Sequence, residues 1–379
     1  MLYLDHAATG PVRAEVWEAM RPYIADVFGN PSSHHGVGET AASALEDARA
    51  RVAAVLGMRT GDVVFTGGGT EANNLAVKGI VLARLHEGRR HLVVSPIEHE
   101  SILGSAGYLE RFHGVTVTAV EVDGAGRITP AALQAALRED TALVALGHAN
   151  NEIGTIQDIP SLAAATHDAG ALLHVDAVQS AGWLALTGLG ADAIAIAGHK
   201  LGTPKGIGAL AVRGRVPLEP LLHGGGQERG RRSGTENVAG AVALATALEL
   251  AEAERDANGA AVAALSSRFI AAVLDSVPEA ALTGDPLSRL PGTVSFTFAG
   301  VSGEAVLLEL ERRGVISSSG SACAAGSDEP SHVLLACGVA PVVAQTSVRF
   351  SFGRVPLPDS AAATLAALVA ASVRAVAGP

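Results

Sequence analysis

Short apolar runs of strand length alternate with segments of helical period over roughly the first 250 residues. Val63-Val-Phe-Thr66, His91-Leu-Val-Val-Ser95, Val115 to Val122, Ala142-Leu-Val-Ala-Leu146, Leu172-Leu-His-Val-Asp176, Ala193 to Ala197 and Gly208-Ala-Leu-Ala-Val212 read as strands. Several are apolar at every position, the pattern of parallel strands buried on both faces. Between Leu45 and Leu56, residues Leu45, Ala48, Val52, Val55 and Leu56 share one helical face, and Gly57 marks a stop. Pro160 to Ala169 reads as a second such helix, ended by Gly170. This alternation predicts an α/β fold, a mostly parallel seven-stranded sheet wrapped by helices on both sides.

The pattern changes near residue 255. A long Ala/Leu/Glu helix begins at Asn237 and is expected to break at Asn258-Gly259. A further helix follows, then an alternating strand (Val294, Phe296, Phe298) and a helix from Gly303 to Arg313. The segment around Cys323, a short helix from Ser331 to Cys337, a second alternating strand (Val348, Phe350, Phe352) and a terminal helix complete the chain. This order predicts a smaller α+β C-terminal domain.

Composition narrows the function. With 48% hydrophobic and 17% charged residues among 379, the chain is rich in core. A net charge of −11 with no basic run argues against direct nucleic-acid binding. The start, Met1-Leu-Tyr-Leu-Asp-His, has neither the basic nor the apolar region of a secretory signal. The apolar stretch from Ala361 to Val373 carries Thr364 and Ser372 and is too short to span a bilayer, so no membrane is expected. Two cysteines without a CxxC pair speak against structural zinc and a disulfide framework, and for a reducing, cytoplasmic home.

The chemistry begins with lysine. The chain has three, against twenty-four arginines, and Lys200 follows the apolar strand that ends at Ala197. A primary amine can form a Schiff base with a carbonyl cofactor, which a guanidinium cannot; a strand-end lysine reaching water is the alternative. Gly67-Gly-Gly-Thr-Glu-Ala-Asn-Asn74 joins a strand to a helix without P-loop or GxGxxG spacing, and suits one phosphate. Within it, Thr70 either caps the helix or touches that phosphate. Asp176 closes a buried strand and needs a cationic partner such as a protonated pyridine nitrogen, unless it is an N-cap or part of a buried ion pair. Gln179 could donate to an oxygen on the same ring. His99, in Ile97-Glu-His-Glu-Ser101, either stacks on a flat ligand, moves a proton or is structural. Asn150-Asn-Glu-Ile-Gly154 could present an amide. Cys323 lies among small residues (Ile316-Ser-Ser-Ser-Gly-Ser-Ala-Cys-Ala-Ala-Gly-Ser327) as a candidate nucleophile, whereas Cys337 reads as helix packing. The Gly-rich His223 to Asn237 is either a solvated loop or part of an anion site. Arg349 either binds a carboxylate or makes an ion pair.

Together these segments resemble the NifS-like cysteine desulfurases of the class V aminotransferase family, pyridoxal-phosphate enzymes of fold type I. The resemblance runs from Tyr3-Leu-Asp to Arg349-Phe-Ser-Phe-Gly-Arg354 and includes Gly29-Asn-Pro-Ser-Ser-His34, Glu98-His99, His174-Val-Asp-Ala-Val-Gln179 and Gly198-His-Lys200. It continues through Pro204-Lys-Gly-Ile-Gly208, Gly224-Gly-Gly-Gln-Glu-Arg-Gly230, Arg232-Ser-Gly-Thr235, Gly320-Ser-Ala-Cys323 and Glu329-Pro-Ser331. It implies a large cofactor-binding domain over 15–256 and a small domain of 1–14 with 257–379. It implies Lys200 as the Schiff-base lysine, Asp176 on the pyridinium, Gln179 on the ring oxygen, His99 stacked on the ring and moving protons, and Asn151 in contact with cofactor and substrate. Gly69, Thr70 and His199 would hold the phosphate, joined by Thr235 from the other subunit of a homodimer. Arg349 would take the carboxylate of L-cysteine. Cys323 would accept sulfur as a persulfide, with L-alanine leaving. The sulfur would pass to an acceptor protein, an iron–sulfur scaffold or a tRNA-thiolation enzyme.

The chain departs from the family pattern at His6, where asparagine is usual, and at Ala197, which replaces a phosphate-binding serine. A selenocysteine lyase or another class V pyridoxal enzyme would share Lys200, Asp176 and Gln179 without needing Cys323. A non-catalytic sulfur-relay protein would be free to lose Lys200 and Asp176, and both are present.

Overall fold

The computed structural model of the chain describes residues 1–319 and 329–378. Its main sheet uses the seven expected segments. With β1 at Leu2–Tyr3, these are β2 (Val63–Thr66), β3 (His91–Val94), β4 (Thr116–Ala119), β5 (Thr141–Gly147), β6 (Leu172–Asp176), β7 (Ala193–Ala197) and β8 (Gly208–Val212). Their order is β2-β8-β7-β6-β5-β3-β4. The pairs among β4, β3, β5, β6 and β7 are parallel. Strand β8 alone runs backwards, antiparallel to both β7 and β2.

That single reversal positions the site. The carboxyl ends of β2, β3, β5, β6 and β7 all emerge at one edge, and β8 enters there. Gly147 lies level with Asp176, Asp176 with Ala195, and Gly208 with both Ala197 and Thr66. Ligands in open α/β sheets bind at this edge.

β2, β3, β7 and β8 are buried along their whole length because helices cover both faces. The helix Gly36–Leu56 packs its apolar stripe inward and stops as expected at Gly57, whose φ of 63° suits glycine. The helices Gly69–Arg84 and Glu100–His113 bury Leu75, Ile80, Ile102 and Leu109 on the opposite face.

A second core gathers around Phe269, Phe296 and Phe350. Phe269 meets Phe296 and Phe350 edge-on at 5.9 and 5.2 Å. Here β9 (Ala280–Leu282), β10 (Thr293–Phe298) and β12 (Val348–Ser351) form an antiparallel sheet, while β1 pairs in parallel with β11 (Val315–Ile316). Leu4 is buried in this core, so the start of the chain packs against its end.

The expected break at Asn258-Gly259 is absent. One helix runs from Val238 to Ser276. A mid-helix glycine costs about 1 kcal/mol relative to alanine, and packing on both sides outweighs that. Ala251 and the residues before it fill the first core, and Val262 and those after it fill the second. By length and composition this helix could cross a membrane; here its apolar residues join the two cores.

Candidate active site

A cleft of about 1010 Å³ opens at the shared strand edge. Gly69, Thr70 and His199 line one end, and His99, Asn151, Asp176 and Gln179 the other. Lys200 and Arg349 also face it. Thr235 is exposed and does not line this cleft, and Cys323 lies outside the described residues.

The first end is built from backbone. Gly68 has φ 153°, ψ −177°, a conformation open to glycine. A Cβ on Gly69 would come within 2.7 Å of Val178 Cγ2, so only hydrogen fits. Gly68 is also the N-cap of Gly69–Arg84, and no side chain caps that helix. Thr70 is therefore not the cap. The first-turn N–H groups of a sixteen-residue helix face the cleft with the positive end of its dipole. His199 meets Thr9 Oγ1 at 3.2 Å, and burial, helped by the nearby Lys200 and Lys205 charges, pushes its pKa down to about 4. Lys205, which sequence reasoning passed over, also lines the cleft; its signal was its rarity as one of three lysines.

The other end is built from buried side chains. Asp176 accepts from the Val178 N–H at 2.9 Å and the Asn73 amide at 2.6 Å, both neutral donors. Burial raises its pKa, and those two donors only partly oppose the rise. A cation against it would favour the charged form, so the residue fits a protonated pyridine nitrogen. Glu98 is buried in the same cleft, and burial, with the Asp176 charge adding to it, pushes its pKa up to about 8. It carries its proton at neutral pH. Gln179 gives one amide hydrogen to Ala7 O at 3.0 Å. The Lys200 ammonium donates to the carbonyls of Ala7 and Ala8, which hold it at the cleft.

Arg349 makes the ion pair that was one of the two roles the sequence left open. It pairs with Asp5 at 2.7 Å and donates to Asn151 O at 3.0 Å. Its buried Nε has no hydrogen-bond partner among the described residues, a donor that calls for an acceptor in the cleft. Asn150 accepts from the N–H groups of Glu152 and Ile153 and donates to Ile97 O, so it shapes the turn that presents Asn151. His6 lines a neighbouring cavity of about 710 Å³ instead of this cleft. Burial lowers its pKa.

The chain on either side of Cys323 is anchored here. Ser318 exchanges two backbone hydrogen bonds with Arg349, at 3.1 and 2.7 Å. Ser331 donates to the buried Glu152 at 2.5 Å, and His332 meets Glu98 O at 3.1 Å. Sequence reasoning missed Glu152, whose burial raises its pKa. Cys337 is half-buried beside Val333 and Leu334, and burial pushes its thiol up to about 11, as expected of a packing residue.

The family model described as aminotransferase class-V matches residues 2–356. A cysteine desulfurase IscS of Dictyoglomus turgidum is 42% identical over 354 residues, covering 93% of this chain and 89% of that protein. A solved NifS-like protein superposes with a TM-score of 0.90 at 33% identity, covering 98% of each chain. Another solved structure, SspA in complex with cysteine, gives a TM-score of 0.81 at 35% identity, covering 94% of this chain and all 100% of that one.

Proposed function

Because the chain belongs to the aminotransferase class-V family and is a pyridoxal-phosphate-dependent cysteine desulfurase, we propose a division of labour among its residues. The observation that carries it is one cleft lined by the Lys200 amine, the half-buried Asp176 carboxylate and Arg349, whose Nε lacks a partner among the described residues. Gly69, Thr70 and His199 hold the cofactor phosphate. Asp176 keeps the ring nitrogen protonated, Gln179 and Asn151 orient the ring, and His99 covers its face. Bound in this way, the cofactor supplies a sink for the negative charge that develops at substrate Cα.

Arg349 binds the carboxylate of L-cysteine through its open Nε edge, with Asp5 and Asn151 O fixing the guanidinium. Lys200 would anchor the cofactor, and its free amine would take the substrate Cα proton. Cys323 takes the substrate sulfur as a persulfide and L-alanine leaves. Ser318 and Ser331, on either side of Cys323 in sequence, are hydrogen-bonded to Arg349 and Glu152. The sulfur then passes to an acceptor protein for iron–sulfur assembly or tRNA thiolation, in the cytoplasm, where Cys323 stays reduced.

We place Thr235 in the cleft of a second subunit. Two observations support a homodimer. Thr235 is exposed and away from its own cleft. The chain also exposes Trp17, Ile24, Phe28 and Val37, close together in sequence, by 46, 53, 76 and 48%.

The test is turnover of L-cysteine with a thiol reductant, quantifying alanine and sulfide together. Equimolar products are expected from the parent protein. Lys200→Ala should lose on the order of 10³-fold or more of the rate, and Cys323→Ala should release no sulfide. Full activity in Cys323→Ala would overturn the nucleophile assignment.

A further inference from the structure

Four side chains, Asn73, Ser101 and Asp176 lining the cleft and the buried His174, fix the direction of each hydrogen bond between them. Asn73, in the first turns of the helix Gly69–Arg84, is buried. Its Nδ2 lies 2.6 Å from Asp176 Oδ2 and 2.9 Å from Ser101 Oγ, and its Oδ1 lies 2.9 Å from His174 Nε2. A flipped amide would set Asn73 Oδ1 against the Asp176 carboxylate, two acceptors with no proton between them. The orientation is therefore fixed, and His174 must donate through Nε2. It can do so because burial keeps its ring neutral, with a pKa of about 4.

The direction continues to His99. Ser101 Oγ accepts from Asn73, so its own proton is free to go to His99 Nδ1, 2.9 Å away. The Ser101 backbone N–H also points at Nδ1, at 3.0 Å, capping the helix Glu100–His113. A backbone N–H has only a proton to give. Nδ1 is thus an acceptor twice over, and the neutral ring carries its hydrogen on Nε2.

We propose that Asn73 is a positioning residue for two reaction partners at once: it orients Asp176 directly and, through Ser101, holds His99 as the Nε2–H tautomer, so that His99 meets the reaction as a hydrogen-bond donor and not as a base. His174 is the fixed end of this relay. His99 presents its Nε2–H to the cleft as a hydrogen-bond donor, and Nδ1 stays committed to the helix cap. Abstraction at Cα then falls to the Lys200 amine. This inference rests on the roles given above to Asp176 and His99.

Two measurements on the cofactor-loaded full chain test it. Long-range proton–nitrogen NMR with histidine-selective ¹⁵N labelling, assigned with His99→Gln, should show Nδ1 unprotonated and Nε2 protonated in His99; the reverse would overturn the tautomer. Asn73→Ala should lower kcat on the order of 10²-fold, the scale of losing one preorganised hydrogen-bond donor, with KM within about threefold. His174 supplies a variant pair that leaves Asn73 in place. His174→Gln keeps an amide donor and should retain most of kcat, while His174→Leu should lose about tenfold. Equal rates in this pair, or a loss confined to KM, would overturn the relay. Asp176→Asn and His99→Ala are the controls for the underlying roles. If both turn over normally, those assignments fall; if both fail while Asn73→Ala is active, only the relay falls.

Discussion

At the end of the cleft proposed for the phosphate, the ligand-facing groups are mostly peptide N–H groups at Gly68–Thr70, shaped by Gly68 at φ 153° and by Gly69, where an added Cβ would crowd Val178. At the ring end they are side chains, Asp176, Glu98 and His99, tied to Asn73, Ser101 and His174. Backbone donors have one charge state and do not titrate. Buried carboxyls and imidazoles have two, and their surroundings choose between them. Mutational and pH sensitivity should therefore concentrate at the ring end, while the phosphate end should tolerate change outside its glycines.

The largest effect expected is at Asp176. Asp176→Asn keeps the shape and the hydrogen bond from Val178 but loses the charge. Alanine release should fall about 10²–10³-fold, the scale of losing one preorganised electrostatic group. Cofactor content, measured by absorbance after dialysis, should stay near stoichiometric because the other end still holds the phosphate. Loss of the cofactor in this variant would show that the two ends are not separable.

A middle effect comes from protonation, and the signs oppose. His148 and His174 have folded pKa values of about 4, both lowered by burial from 6.5. Their contribution is present above pH 6.5 and is lost as pH falls toward 4. Glu98 is raised to about 8 from 4.5. Its protonated form favours the folded state below pH 4.5, and this contribution is lost as pH rises through 8. Each proton is worth about 1.4 kcal/mol per pH unit inside its window. Denaturant midpoints of the cofactor-free protein should thus fall on both sides of a maximum. Glu98→Gln, which mimics the protonated acid, should flatten the alkaline side between about pH 6.5 and 8. An unchanged alkaline slope would mean that Glu98 ionises normally.

These sites were unequally legible in the sequence. Asp176, Lys200 and the Gly67–Thr70 turn were readable because each ends or follows an apolar strand, and parallel strands bring such ends to one edge. Asn73 was not, because nothing local shows which of two adjacent asparagines faces β6. The protonation of Glu98 depends on burial and on Asp176, far away in sequence. The pairing of Asp5 with Arg349 spans 344 residues. The continuous helix through Gly259 was missed because a local breaker signal was outweighed by two cores the sequence does not show side by side. The fold class itself was legible, since seven apolar runs at helix-length spacing leave few alternatives to a wrapped sheet.

The smallest effect tests the tolerance of the phosphate end. Ala197 stands where the family usually has serine, at the last position of β7, level with Gly208 and lining the cleft. If the peptide N–H groups and the helix dipole supply most of the binding there, one more hydroxyl should add only a single net hydrogen bond. That is worth about 0.5–1.5 kcal/mol, or roughly two- to tenfold in affinity. Ala197→Ser should therefore lower the cofactor dissociation constant, measured by equilibrium dialysis, by about that factor, with kcat unchanged because Ala197 touches none of the groups proposed to move protons. A gain of 10²-fold would mean that the backbone cradle is incomplete without the hydroxyl, and the contrast between the two ends would fail. A loss of affinity would mean that the space beside Gly69, where an added Cβ would already lie 3.2 Å from Ala197 Cβ, is too tight for an oxygen. In that case alanine at this position is part of the fit.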